Sequence, residues 1–139
     1  MISHKKQLRV LLVEDEVPHQ RLFARSLSRS RMDGEVVCVD DGQLALDYLN
    51  AYADSGDNTP LIVILDLNIP IRDGIEVLGE IRKHPRLYNL PVIIMSTSDE
   101  TVEINACRQL GVLAYLVKPV EFERIETLVE SVLKRGEAR

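Results

Sequence analysis

Five short apolar runs recur along the chain and constrain its fold more than any other feature. They are rich in Val and Ile and do not alternate with polar residues: Val10–Val13, Val36–Val39, Leu61–Leu65, Val92–Met95 and Ala114–Val117. Continuous runs of this length are typical of β-strands that are buried on both faces.

Segments with helical spacing follow each of these runs. In the first such segment Leu22, Phe23 and Leu27 recur at the spacing of one helix face. The last segment carries the longest stripe, made of Phe122, Ile125, Val129, Val132 and Leu133. The pattern predicts five helices, the last of which extends to about Lys134.

The order of strand and helix, repeated five times, predicts an α/β fold. Parallel strands that are joined by helices form a sheet covered by helices on both faces. The natural arrangement is a doubly wound, flavodoxin-like (βα)5 fold with a parallel five-stranded sheet in the order 2-1-3-4-5. A length of 139 residues suits one domain, and we expect a single domain over 1–139 with its core at about 7–134.

Composition excludes several classes of protein. The chain has 17 Lys+Arg against 22 Asp+Glu, a net charge of −5, which argues against binding to a nucleic-acid backbone. It has neither an apolar run of membrane-spanning length nor a signal-peptide pattern. Cys38 and Cys107 lack metal or disulfide spacing, which favours a cytoplasmic location. His4, His19 and His84 have no metal-ligand or triad spacing and are predicted at the surface.

Candidate functional side chains follow four of the five predicted strands. They are Glu14 and Asp15 after the first strand, Asp66 and Asn68 after the third, Ser96 after the fourth and Lys118 after the fifth. In an open parallel sheet, sites form beyond the carboxyl ends of the strands. The first and third strands are neighbours in the predicted order, so Glu14, Asp15 and Asp66 should converge. Clustered carboxylates are tolerated around a cation, and an all-oxygen set suits Mg²⁺.

A metal ion, a carboxylate, a hydroxyl and an ammonium group are the parts of phosphoryl transfer to an aspartate. Asp66 ends the central strand and is the best candidate for the nucleophile. Lys118 and Ser96 would bind oxygens of the phosphoryl group.

Other polar residues near the strand ends are better explained as helix caps. Asp40 and Asp41 follow an edge strand, and Asp41 precedes a glycine at a helix start, so we assign this pair no chemistry. Ser98 or Asp99 is expected to cap the fourth helix.

The chain resembles a response regulator receiver domain over almost its full length. The resemblance rests on four motifs, which are LLVEDE (Leu11–Glu16), LDLNIPIRDG (Leu65–Gly74), PVIIMSTS (Pro91–Ser98) and YLVKP (Tyr115–Pro119). It implies phosphorylation at Asp66, with Mg²⁺ or Mn²⁺ held by Glu14, Asp15, Asp66 and the backbone carbonyl of Asn68. It implies that Lys118 binds the phosphoryl group.

The same resemblance implies a conformational switch and several structural positions. Ser96 and Tyr115 correspond to the switch residues, and their movement would remodel the face formed by the fourth helix, fifth strand and fifth helix. Pro70 and Gly74 correspond to structural positions of the phosphorylation loop, and Pro119 to a proline after a cis peptide bond. Compared with the family pattern, Glu14 replaces the commoner Asp and Ser96 the commoner Thr.

A finer resemblance concerns the partners. An extended loop at Asn50–Pro60, the DLNIP sequence after the third strand and the STS sequence after the fourth resemble single-domain regulators that partner bacterial phytochrome histidine kinases. The resemblance implies a sensor histidine kinase as phosphoryl donor, an unknown downstream protein, a homodimer and no output domain.

Two alternatives remain open. One is an interaction module that uses the receiver fold without phosphorylation, since a fold alone does not fix function. The other is a haloacid-dehalogenase-type phosphatase, which also uses an Asp nucleophile but needs a general acid two residues later. That position holds Asn68, whose amide has no titrating proton to donate.

Overall fold

The computed structural model describes residues 8–137, and residues 1–7 and 138–139, including His4, lie outside the described residues. The strands are β1 (Leu8–Val13), β2 (Gly34–Val39), β3 (Leu61–Asp66), β4 (Val92–Ser96) and β5 (Ala114–Val117). The helices are α1 (Val17–Ser28), α2 (Gly42–Ser55), α3 (Gly74–Lys83), α4 (Thr101–Gln109) and α5 (Phe122–Glu137).

All strands pair in parallel in the order β2-β1-β3-β4-β5, which confirms the predicted (βα)5 topology. The order reverses between β1 and β3, because β2 lies on one side of β1 and the remaining strands extend on the other. The carboxyl ends of β1, β3 and β4 therefore meet at one edge of the sheet. None of the helices within 8–137 has the length and apolar character needed to cross a bilayer.

Both faces of the sheet are buried, which explains the absence of alternation in the apolar runs. In β3, Leu61, Val63 and Leu65 pack in a cluster with residues of α2, α3 and α4. Ile62 and Ile64 face the opposite cluster, which includes residues of α1 and α5. The central strand is thus apolar up to Asp66, which is buried at its end.

Three local predictions differ from the structure. α5 continues to Glu137, beyond the predicted end near Lys134. The loop expected from Asn50 is wrong for residues 50–55, because α2 continues to Ser55. Tyr52 packs against the core in this last part of α2, and its hydroxyl donates to the carbonyl of Thr59 at 2.8 Å.

The third difference concerns the start of α4. Neither Ser98 nor Asp99 is its N-cap, and Glu100 occupies that position without a side-chain capping bond. The Ser98 hydroxyl instead accepts from the backbone N–H of Glu100 in a local turn at 3.2 Å. The prediction for Asp41 is confirmed, since its carboxylate caps α2 by accepting from the N–H of Leu44.

Candidate functional site

Three carboxylates lie together at the carboxyl ends of β1 and β3. Oxygens of Glu14, Asp15 and Asp66 all lie within 4.8 Å of one another. Glu14 and Asp66 are buried, with 2% and 6% of their surfaces exposed, whereas Asp15 is exposed. A half-open set of carboxylate oxygens matches the ligands that Mg²⁺ and Mn²⁺ take. The donor set present therefore fits a hard divalent cation.

Lys118, directly after β5, offsets part of the negative charge of this cluster. Its Nζ donates to Glu14 Oε1 and to Asp66 Oδ2, each at 2.8 Å. Its backbone N–H donates to the carbonyl of Ser96 at 2.7 Å, which anchors the residue beside β4. The Lys118–Pro119 peptide bond is cis, as the resemblance implies.

The ion pair between Lys118 and Glu14 shifts the pKa of both side chains. Burial acts to raise the pKa of Glu14, but the hydrogen bonds from Lys118 and the N–H of Glu16 outweigh it and lower that pKa. Burial likewise acts to lower the pKa of Lys118, but hydrogen bonds to Asp66 and Glu14 outweigh it and raise that pKa. The ammonium form of Lys118 and the carboxylate form of Glu14 thus stabilise each other at neutral pH.

The loop after β3 is held in place around Asp66. Asp66 Oδ1 accepts the N–H of Asn68 at 2.9 Å, which fixes the orientation of the carboxylate. The N–H of Gly74 donates to the carbonyl of Leu67 at 3.0 Å. A side chain at Gly74 would place its Cβ 2.6 Å from Leu67 Cα and 2.7 Å from the carbonyl oxygen of Asp66. Only glycine fits this approach.

Gly42, the first residue of α2, packs against the same loop. The sequence indicated only that Gly42 stands at the start of a helix. The N–H of Gly42 donates to the carbonyl of Pro70 at 3.2 Å. A Cβ at Gly42 would lie 1.8 Å from the carbonyl oxygen of Arg72. The start of α2 therefore packs directly on the loop that follows Asp66. The Asp-Gly pair was the available signal, but it did not indicate a partner.

Ser96 and Tyr115 are linked through the backbone of Ser98. Ser96 is fully buried, and its Oγ accepts the N–H of Ser98 at 3.1 Å. The hydroxyl of the half-buried Tyr115 donates to the carbonyl of Ser98 at 2.9 Å. A displacement of the Ser96 hydroxyl would thus act on the segment that holds Tyr115.

His19 lies at the surface, as predicted, but at the rim of the acidic cluster. Its Nδ1 is 2.9 Å from a carboxylate oxygen of Glu16 and 3.4 Å from Glu14 Oε1. The other predicted surface histidine within the described residues, His84, is half-buried, and its Nδ1 accepts the N–H of Arg86.

The fold and the convergent carboxylates and lysine define a class of protein. Residues 10–130 match the family model of the response regulator receiver domain. The chain therefore belongs to the receiver-domain family of response regulators.

Two curated relatives are similar to this chain over most of its length. FilR2 of Methanothrix harundinacea (strain 6Ac), a probable methanogenesis regulatory protein, is 37% identical over 88% of this chain and 79% of its own. Response regulator Rcp1 of Synechocystis sp. (strain ATCC 27184 / PCC 6803 / Kazusa) is 33% identical over 88% of this chain and 84% of its own.

The structures similar to this chain include regulators of phytochrome signalling. The Mn²⁺-bound form of Rcp1 superposes with a TM-score of 0.73 at 32% identity, over 89% of this chain and 90% of its own. The phosphorylated cyanobacterial phytochrome response regulator RcpA gives 0.74 at 35%, over 89% of each chain. The bacteriophytochrome response regulator RtBRR gives 0.74 at 37%, over 88% of this chain and 75% of its own.

Proposed function

We propose that this receiver accepts a phosphoryl group on Asp66 from a phosphohistidine of a sensor histidine kinase, in a reaction that requires Mg²⁺ or Mn²⁺. The observation that carries the proposal is the Lys118 ammonium, which contacts Asp66 and Glu14 at 2.8 Å inside an otherwise acidic site. Similarity to a Mn²⁺-bound and a phosphorylated regulator supports it.

The chemistry follows from the positions of these side chains. A carboxylate oxygen of Asp66 attacks phosphorus, the P–N bond breaks, and the imidazole leaves with the bond's electron pair. Lys118 Nζ binds a phosphoryl oxygen as its contact with the carboxylate is replaced, and the Ser96 hydroxyl donates a hydrogen bond to another. A divalent cation held by Glu14, Asp15, Asp66 and the carbonyl of Asn68 would offset the charge of the phosphoryl group.

The two alternatives are less well supported by the site. A phosphatase of the haloacid dehalogenase type needs a general acid two residues after its nucleophile, and Asn68 contributes a backbone N–H to Asp66 Oδ1 there. A module that is never phosphorylated would not need a half-buried lysine between two buried carboxylates, an arrangement that costs desolvation energy.

Transfer from a phosphorylated histidine kinase tests the proposal. We expect label to move to the wild-type protein in the presence of Mg²⁺, and no label to move to Asp66→Asn. Asp41→Asn is the matched control, because Asn also caps helices and Asp41 lies outside the carboxylate cluster. Equal labelling of all three proteins would reject Asp66 as the acceptor.

We further propose that Ser96 couples phosphorylation to the face formed by α4, β5 and α5. In Ser96→Ala, Asp66 should still be phosphorylated, because the carboxylate and Lys118 remain. The amide NMR shifts of α4 should change less on phosphorylation than in the wild type, since the Oγ contact to Ser98 is lost. Ser28→Ala, which removes an exposed hydroxyl at the end of α1, should respond normally. A full response of α4 in Ser96→Ala would contradict the coupling.

The phytochrome-type kinase is proposed as the donor because RcpA and RtBRR are described as phytochrome response regulators. Transfer from a purified phytochrome kinase should outpace transfer from unrelated kinases, and equal rates would remove this assignment. FilR2, at comparable identity, carries a different description, so the comparison of kinases is decisive.

The face formed by α4, β5 and α5 is also proposed as the homodimer contact. Val102 on α4 is 79% exposed and Val117 on β5 is 42% exposed. Light scattering before and after phosphorylation tests this contact in the wild type and in Val102→Asp. A monomer in every state would reject it. Output through an unknown downstream protein stays a prediction.

A further inference from the structure

Each polar group of Glu14 has a hydrogen-bonding partner. Its backbone N–H donates to the carbonyl of Val39 at 3.1 Å. Its two carboxylate oxygens accept from Lys118 Nζ at 2.8 Å and from the N–H of Glu16 at 3.2 Å. Its carbonyl oxygen accepts from the side-chain amide of Gln20 at 2.6 Å. Glu14 is therefore held by four different residues.

Gln20 makes a second bond that ties α1 to the neighbouring strand end. Its Nε2 also donates to Asp40 Oδ1 at 2.7 Å. A side-chain amide nitrogen carries two hydrogens, and both are used here. Gln20 thus links α1 to Glu14, which follows β1, and to Asp40, which follows β2. This contact gives Asp40 a hydrogen-bonding partner beside the site. The sequence had indicated no role for Asp40 other than at the start of a helix.

The carbonyl that Gln20 holds belongs to the peptide between Glu14 and Asp15. The side chain of Asp15 is exposed and has no hydrogen bond or ion pair to any residue within 8–137. Since no such contact would hold it in place, rotation of that peptide would turn Asp15 away from Asp66. The orientation of the exposed carboxylate therefore depends on its backbone. A cation-binding site gains affinity when its ligands are held in position before binding.

We propose that Gln20 is a positioning residue of the metal site, which fixes the Glu14–Asp15 peptide and thereby raises the affinity for the divalent cation. This inference rests on the proposed metal-dependent function. Glutamate is not a suitable replacement for Gln20, because its carboxylate would face two other acceptors, the carbonyl of Glu14 and the carboxylate of Asp40. Methionine would keep the length and helix preference of the side chain but remove both donors.

The test is the affinity for Mn²⁺, followed by electron paramagnetic resonance of the free aqua ion. We expect Gln20→Met to bind about tenfold more weakly than the wild type, as is usual when a partner of a metal ligand is lost. The matched control is Gln43→Met, which removes an exposed amide–carboxylate bond to Asp47 on α2. It should bind like the wild type.

Urea unfolding of the same proteins separates positioning from packing. A positioning role predicts weaker Mn²⁺ binding by Gln20→Met in protein that stays folded. Asp40→Asn should retain most of the affinity, because its side-chain oxygen still accepts from Gln20. Unchanged Mn²⁺ affinity of Gln20→Met, with or without a loss of stability, would overturn the inference. If the wild type binds no Mn²⁺, the proposed metal site itself fails, and this inference falls with it.

Discussion

Replacing Gly42 by alanine is expected to destabilise the protein by about 3 kcal/mol or more, the upper range for a residue forced into a filled space. The new Cβ would lie 1.8 Å from the carbonyl oxygen of Arg72 and 2.6 Å from its Cβ. The obstacle includes backbone, so rotation of a side chain cannot relieve it. Either α2 or the loop after Asp66 must move, and the bond between Gly42 and Pro70 would break.

Gly79 provides the matched control for this prediction. It also lies in a helix, α3, but a Cβ there would meet nothing within 4 Å. Gly79→Ala should therefore raise the free energy of unfolding by up to about 1 kcal/mol, because alanine is the better helix former. Urea unfolding measures both variants. Equal stabilities of Gly42→Ala and the wild type would show that the packing of α2 on this loop is looser than described.

Replacing Lys118 by methionine is the second change with a large expected effect. It leaves the carboxylates of Glu14 and Asp66 close together and buried, without the ammonium that lies 2.8 Å from each. Removing one partner of a buried ion pair costs roughly 3–5 kcal/mol, since the remaining charge is uncompensated. We expect a loss near the lower end of that range in the free energy of unfolding at pH 7, because Asp15 leaves the cluster partly open to water.

The free energies of unfolding of the wild type and of Lys118→Met should change with pH in opposite directions below neutrality. In the wild type the lowered pKa of Glu14 stabilises the fold above the unfolded value of about 4.3, and this is lost as the pH falls. The raised pKa of Lys118 adds stability that is lost only in the alkaline range, above about 10.4. In Lys118→Met, acid should instead relieve the uncompensated charge by protonating the buried carboxylate of Glu14. The stability difference between the two proteins should narrow from pH 7 towards about 4.5.

Added Mg²⁺ supplies a further check on Lys118→Met. A divalent cation among the three carboxylates would offset part of the lost positive charge. The urea midpoint of the variant should therefore rise more with Mg²⁺ than that of the wild type. A variant as stable as the wild type at pH 7, with no response to Mg²⁺, would mean that Lys118 does not balance the charge of this cluster.

The strand order and the convergence of Glu14, Asp66 and Lys118 could be predicted from sequence for one physical reason. Strands buried on both faces leave a distinct apolar signature, and in a parallel sheet the residue after each strand lies at a common edge. The chain positions of these side chains therefore largely determine their proximity. Their functional roles stay predictions.

The contacts that hold the site could not be predicted in the same way. The approach of Gly42 to Arg72 and the bonds of Gln20 depend on how a helix packs against a loop from another part of the chain. No local pattern encodes that distance. The start of α4 was predicted wrongly because several polar residues compete there, and the Ser98 hydroxyl bonds within its own turn instead of capping the helix.

The most direct test of phosphoryl acceptance at Asp66 is the intact mass of the protein after incubation with acetyl phosphate and Mg²⁺. We expect the wild type to gain one phosphoryl group, and we expect no gain by Asp66→Asn or by the wild type without a divalent cation. A wild-type protein that binds Mg²⁺ but gains no mass, or an Asp66→Asn protein that gains as much, would contradict phosphoryl acceptance at Asp66.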